Sequence, residues 1–138
     1  MLKKFLSPTL IDRKLNVSLL ILRAFAAIVM IPHGYQKLLH YSENASEFMN
    51  FMGLGGEISY ALIICAEFSC AILLLVGLFT RFASIPLIIA MAVAVCKAHN
   101  CEIFGDGQTA FLFLTCFLTV MIAGPGKYSI DAFLFPKK

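Results

Sequence analysis

The segment from Ala94 to Gly107, which reads AVCKAHNCEIFGDG, gathers metal-binding and redox-active side chains in a chain that is otherwise poor in charge. Cys96, His99 and Cys101 are donor types that bind zinc, and a neighbouring acid, Glu102 or Asp106, would have to be the fourth ligand. The segment lacks the close CxxC or HxxxH pairing that is usual in zinc sites. We therefore expect no bound metal, and a zinc site stays as a less favoured alternative.

A disulfide between Cys96 and Cys101 is the second reading of this segment. On one continuous helix their α-carbons would lie about 8 Å apart, which is beyond the bridging limit, but a helix that ends near His99 would allow the bond. The sequence leaves this question open. The other cysteines of the five lie inside apolar runs, where a thiol usually packs as a small hydrophobic group: Cys65, Cys70 and Cys116.

A histidine and a lysine lie one helical turn apart in the stretch IPHGYQKL. His33 and Lys37 therefore share a helix face. Pro32 removes a backbone donor and Gly34 admits the close approach of a neighbouring helix. This pair can meet a ligand, although a lysine at a helix end also commonly extends to the membrane surface.

Two charged residues interrupt apolar segments, Arg23 and Glu67. Counted from the helix ends near Leu15 and Phe79, they lie about 12 Å and about 18 Å deep, which is within reach of two long side chains. Since a charge inside a bilayer normally faces the protein interior and finds a partner, we predict an Arg23–Glu67 ion pair. Burial also makes Glu67 a candidate proton carrier.

The composition indicates which elements hold these residues. Hydrophobic residues make up 60% of the chain, charged residues 14%, and the mean hydropathy is +0.88, which is too apolar for a soluble domain. Four apolar segments predict one all-α domain, residues 1–138, built as a four-helix transmembrane bundle: 17–35, 58–79, 82–97 and 109–123. A net charge of +3 with no basic face argues against a nucleic-acid partner.

The distribution of Lys and Arg among the loops predicts the orientation. With both termini in the cytoplasm, the inner side holds Lys3, Lys4, Arg13, Lys14, Arg81, Lys127, Lys137 and Lys138, and the outer side only Lys37 and Lys97. His33, Lys37, Glu67, Lys97 and His99 then surround an outward-facing polar pocket.

The first outer loop, residues 38–57, is predicted to carry a short surface helix. Asn44 and Glu47 have the spacing of a capping pair. Phe48, Phe51 and Met52 would share one face of that helix before a glycine cluster ends it.

With these residues in place, the sequence resembles the DoxX family of bacterial membrane proteins. The resemblance covers roughly Leu15 to Phe133, and its most specific part is GPGKYSID near the C-terminus. Besides Arg23, Lys37, Glu67 and His99, the matching positions are Gly34, Gly77, Arg81, Gly124, Pro125, Gly126, Lys127, Tyr128, Ser129 and Asp131. The resemblance implies a four-helix protein of the bacterial inner membrane, in a family with members linked to redox processes.

Two functions fit these residues. In the first, the chain is redox-associated and binds a quinone or another small amphipathic molecule, with Glu67, His33, Lys37 and His99 as ligand-binding and proton-relay candidates. In the second, it is a non-catalytic assembly subunit whose buried charges fasten the helices for a partner protein. No flavin, haem or iron–sulfur motif is present, so no catalytic residue is assigned. Small residues on the helices are compatible with a homo-oligomer.

Overall fold

The computed structural model describes residues 12–98, 101 and 103–135, and within these ranges the regular structure is entirely helical. The all-α prediction is therefore confirmed for this part of the chain. The α-helices in chain order are α1 Asp12–Leu39, α2 Tyr41–Asn44, α3 Gly56–Ile64, α4 Ala71–Val76, α5 Thr80–Val93, α6 Gln108–Ala123 and α7 Ile130–Leu134. Two π-helical segments complete them, Cys65–Cys70 between α3 and α4 and Ala94–Ala98 after α5.

Three helical stretches are long and apolar enough to cross a membrane: Arg13–Leu39, Gly56–Val76 and Thr80–Lys97. The second and third are continuous through their π segments. The fourth predicted span corresponds to α6, which is apolar but has only 16 residues. Each predicted span corresponds to helical structure. Helix α1 is longer at both ends than the predicted 17–35, and Pro32 lies inside it.

The long helices pack around a core of small and medium-sized side chains. Alanines at the contacts allow close helix approach, which is how membrane helices gain packing energy. The buried members of this core are Ala26, Ala27, Met30, Ala66, Ala71, Leu74, Leu87, Ala90, Met91, Phe117 and Val120. Large apolar side chains such as Phe25, Phe82 and Ile122 point outward, as a lipid environment requires.

The loop after α1 differs from the predicted surface helix. It contains a single helical turn, α2, and residues 45–55 form turns. Asn44 does not cap a following helix, since its side-chain amide donates to the carbonyl of His40 at 3.2 Å. Packing holds the loop instead, because Ala45 and Phe48 contact Tyr60 and Ile64 of α3.

Candidate functional site

The buried carboxylate of Glu67 is the centre of the site. It lies in the π segment Cys65–Cys70, its side chain is 3% exposed, and its Oε1 accepts a hydrogen bond from Nζ of Lys37 at 2.5 Å. Lys37 is at the last turn of α1, and its side chain is 32% exposed. The sequence prediction that Glu67 pairs with Arg23 is wrong. Glu67 pairs with Lys37 because both residues lie near the same end of the bundle.

Gly34 allows this ion pair to form. A Cβ at this position would lie 2.6 Å from the backbone nitrogen of Phe68 and 2.7 Å from the carbonyl carbon of Glu67. Helix α1 therefore touches the backbone of the π segment itself. Because Lys37 lies one turn further along α1, this close contact brings its amine to the carboxylate.

A cavity of about 330 Å³ opens beside the ion pair. We call it the polar cavity. Its lining residues come from α1, both π-containing spans, the loop before α6 and α6: Met30, His33, Lys37, Glu67, Met91, Ala94, Asp106, Thr109, Ala110 and Phe113. The second carboxylate oxygen of Glu67, Oε2, is buried and has no hydrogen-bond partner in the described part of the chain. A residue on the cavity wall thus has a strong, unused acceptor atom.

His33 lies on the wall of the polar cavity, as its spacing from Lys37 predicted. Its Nδ1 is 2.9 Å from the carbonyl oxygen of Val29. Because a carbonyl only accepts, Nδ1 carries the proton in the neutral ring, and Nε2 is then an acceptor. The site accordingly contains an acid, an amine and an imidazole near one another.

Three of the four predicted ligand-binding residues meet here, namely Glu67, His33 and Lys37. The fourth, His99, lies outside the described residues, so its role stays a prediction. The sequence analysis did not place Asp106 and Thr109 in the pocket, although the GDG turn preceding α6 was a signal that a polar loop approaches this end. Lys97 was also predicted to lie around this pocket, but it is exposed and is not among the lining residues.

Both π segments contribute to the polar cavity, through Glu67 and Ala94. A π turn accommodates an extra residue in the helix and is often found at functional sites. Simple hydrophobic periodicity gives no signal for such a turn, so sequence reasoning missed both segments.

A second cavity, of about 410 Å³, lies against the first and is almost wholly apolar. We call it the apolar groove. It is lined by the loop after α2, by α3 and by α5 with the adjoining segments: Lys37, Phe48, Met49, Phe51, Ser59, Leu62, Ile63, Ala66, Pro86, Ile89, Ala90, Val93 and Ala94. Lys37 and Ala94 line both cavities.

The opposite end of the bundle is held by Arg23. Its guanidinium donates to the carbonyl oxygens of Pro125 at 3.0 Å and Tyr128 at 2.8 Å, and only 2% of the residue is exposed. Gly77 makes room for it, since a side chain there would overlap the guanidinium. We call this arrangement the latch. Arg23 therefore fastens the GPGKYSID segment to α1, and it takes no part in the polar cavity.

The rest of the signature segment also makes backbone hydrogen bonds. Ser129 caps α7 by accepting from the amide of Ala132 at 3.1 Å. The carboxylate of Asp131 accepts from the amides of Phe79 at 2.7 Å and Thr80 at 2.8 Å, at the start of α5. Partial burial raises the pKa of Asp131, but these hydrogen bonds and the nearby Arg23 charge outweigh that effect and hold the pKa below its usual value.

The turn between α4 and α5 explains why Gly77 belongs to the signature. Gly77 has φ of 74°, and its amide and that of Leu78 bond back to the carbonyls of Leu74 and Leu73 at 3.2 and 3.0 Å, which closes α4 with a Schellman motif. Of the other signature residues, Arg81 donates to the Ile122 carbonyl at 3.4 Å. The Lys127 amide donates to the side chain of Asn16 at 2.8 Å.

Cys96 and Cys101 come together at the end of the third span. The Cys101 amide donates to the Val95 carbonyl at 2.9 Å, and a hydrogen bond with the Cys96 thiol raises the pKa of Cys101. Both thiols are free and exposed. Among the described residues, no three His, Cys, Asp or Glu side chains form a group that could hold a metal ion. The zinc alternative depended on His99, which is not described.

Several known proteins are similar to this chain over most of its length. The family model described as DoxX matches residues 18–100, more than half of the chain. The inner membrane protein YqjF of Escherichia coli is 28% identical over 128 residues, covering 88% of this chain and 95% of that protein. An uncharacterized protein of Haemophilus influenzae is 30% identical over 124 residues, covering 82% and 92%. The uncharacterized membrane protein Rv3486 of Mycobacterium tuberculosis is 24% identical over 139 residues, covering 90% and 85%. No solved structure matches significantly.

Proposed function

Because this chain belongs to the DoxX family and is a multi-pass protein of the bacterial inner membrane, we propose that it binds a small amphipathic molecule of the quinone class in the polar cavity. The chemistry of the cavity wall indicates the class of ligand. The binding residues are Glu67, Lys37 and His33.

The observation that carries the proposal is the unpartnered Oε2 of Glu67. A buried carboxylate oxygen without a hydrogen bond is costly, and a cavity beside it invites a donor. A hydroquinone hydroxyl is such a donor. The ammonium group of Lys37 and the backbone-oriented ring of His33 provide complementary contacts for a ring oxygen.

The same three residues suit proton exchange with the ligand. A quinone supplies two-electron redox chemistry that is coupled to protons. Glu67 can accept a proton at its free Oε2, and Nε2 of His33 is a second acceptor on the cavity wall. Lys37 donates to the other carboxylate oxygen, Oε1, and so fixes the position of Glu67.

The orientation in the membrane is part of the proposal. Arg13, Lys14, Arg81 and Lys127 belong to the latch end of the bundle, whereas Lys37 and Lys97 belong to the cavity end. The positive-inside rule then places both termini in the cytoplasm and the polar cavity toward the outside, with α6 as the fourth crossing. A redox partner subunit would give electrons to the quinone or take them from the hydroquinone.

The second candidate is an assembly subunit in which the buried charges are structural. The latch favours this candidate, since both terminal nitrogens of Arg23 fasten backbone segments. It predicts that Glu67 contributes to stability and to partner or self-association, and that no quinone binds.

A binding measurement separates the two candidates. The protein in lipid nanodiscs is titrated by calorimetry, in the absence of oxygen, with a benzohydroquinone that carries only methyl substituents and whose hydroxyls can donate to Glu67. The result is compared with that for Glu67→Gln. We expect the variant to bind at least about tenfold more weakly, since each lost charged hydrogen bond is worth about 1.5–3 kcal/mol. Glu57→Gln, an exposed acid on α3, is the matched control. Absence of binding to the unmodified protein would leave the assembly role.

A further inference from the structure

The apolar groove and the polar cavity are neighbours that meet at Lys37 and Ala94. Lys37 and Ala94 therefore lie between a cavity lined by a buried acid and one lined by hydrocarbon. A molecule with a polar head and an apolar tail would match these two linings, with its head in the polar cavity and its tail in the apolar groove.

Small residues create the groove. Ala66 and Ala90 are buried at its floor, on the second and third spans, where their methyl groups leave a gap between the helices. Phe48 and Phe51 from the loop after α2 cover one end. Leu62 and Ile89 stand at the margins, and they are 50% and 48% exposed, so the groove opens on the faces that lipid would contact.

The groove has almost no free polar side chain. Ser59, the one hydroxyl on its wall, already donates to the Gly55 carbonyl at 2.5 Å and accepts from the Phe51 amide at 2.9 Å. Lys37 is bonded to Glu67. The lining thus suits hydrocarbon, and a polar occupant would lose hydrogen bonds on entering it.

We propose that the apolar groove binds the hydrocarbon tail of the molecule whose polar head occupies the polar cavity, so that the ligand is a tailed quinone that enters sideways from the bilayer between the second and third spans. This inference rests on the proposed function and deepens it. A tail that moves from lipid into the groove gains dispersion contacts with the groove wall. A tail that only remained in the surrounding lipid would add nothing that depends on these residues.

The test compares two probes of known structure on the full-length protein in nanodiscs. One is the methyl-substituted benzohydroquinone, and the other has the same reduced ring with a decyl chain. Two variants fill the groove, Leu62→Trp and Ile89→Trp. Their controls are Ile58→Trp and Ile85→Trp, which lie one turn away on the same helices, are 54% and 45% exposed, and do not line the groove.

We expect each groove variant to weaken binding of the decyl probe at least about tenfold relative to its control while the tail-less probe binds unchanged, since the indole displaces several methylenes and each loses its dispersion contacts with the groove wall. The decyl probe partitions into lipid equally in both samples, so this effect cancels in the ratio of the dissociation constants of variant and control. Equal binding of the decyl probe to variant and control overturns the groove assignment and leaves the proposed function intact. Failure of both probes to bind the unmodified protein overturns the proposed function as well. A phospholipid that stays bound in native mass spectrometry when the decyl probe is in excess also contradicts the assignment.

Discussion

Asp131 caps a helix that begins far from it in the sequence: its two carboxylate oxygens accept the amides of Phe79 and Thr80 at 2.7 and 2.8 Å, across a separation of 51 residues from Thr80. N-terminal caps are usually local, because the residue before a helix supplies them. Here Phe79 has φ of 48° and a side chain without an acceptor, so a distant acid replaces it.

Loss of this cap should destabilise the fold. Asp131→Ala leaves two amides without a protein acceptor, and we expect it to lower the free energy of unfolding by about 1–2 kcal/mol. Thermal unfolding in mild detergent measures the effect. Glu47→Ala, an exposed acid in the loop after α2, should change little. Equal loss in the two variants would show that the cap is unimportant.

The same cap should make stability depend on pH at the acid end. The pKa of Asp131 in the folded protein is below its unfolded value of about 3.9, so its stabilisation is present above that value and is lost as the pH falls through the folded pKa. Asp131→Asn should lack this component. We therefore expect the difference in melting temperature between the unmodified protein and Asp131→Asn to shrink below about pH 4. A difference that is constant from neutral pH to about pH 3 would contradict this.

The latch predicts a specific need for arginine at position 23. A lysine has one nitrogen and does not reach two carbonyls in the manner of a guanidinium, so Arg23→Lys should cost about 1–3 kcal/mol of stability. Arg13→Lys, an exposed position on the same helix, is the control. Unfolding followed by circular dichroism in increasing denaturant gives the comparison.

Double-mutant cycles should separate the partners of Glu67. Lys37→Met and Glu67→Gln remove one ion pair, so their effects on stability should be strongly non-additive. Arg23→Lys and Glu67→Gln affect different ends of the bundle, so their effects should add to within about 0.5 kcal/mol. Coupling between Arg23 and Glu67 would restore the pair that the sequence predicted.

The close contact at Gly34 gives another prediction. In Gly34→Ala, the added methyl group would meet the backbone of Glu67 and Phe68, which is not free to move aside, and we expect a loss of about 1–3 kcal/mol. The Lys37–Glu67 pair should weaken with it, visible as a smaller coupling in the cycle above. Gln36→Ala, exposed on the same helix, is the control. An unchanged melting temperature would mean that the helices are not in contact here.

Cysteine labelling tests both the orientation and the thiol pair. A membrane-impermeant maleimide added outside intact cells should label Cys101, because it is exposed at the cavity end. Added diamide, which takes up two hydrogen atoms as it oxidises a pair of thiols, should join Cys96 and Cys101 in the purified protein, and Cys101→Ser should prevent this. Labelling only from the cytoplasmic face would reverse the proposed topology.

The sequence predicted the membrane helices well, because apolar length and turn residues determine them. It also brought His33, Lys37 and Glu67 together, since their depths and shared helix faces follow from regular geometry. It failed on the partners of Arg23 and Glu67, because counting residues in straight α-helices ignores the π segments and the backbone carbonyls of GPGKYSID. Every residue has a backbone carbonyl, so the sequence gives no sign of which carbonyls accept from Arg23. The search for an opposite charge therefore chose Glu67, which is not its partner.

The latch also bears on the order in which the molecule assembles. Arg23 is an early residue, yet its two carbonyl partners follow it by 102 and 105 positions. Throughout synthesis of the intervening chain, the guanidinium must therefore be solvated by water at the membrane surface or by lipid head groups. Tight association of the spans is consequently delayed until the segment around Pro125 and Tyr128 arrives, and insertion and packing become separate events in the life of the protein.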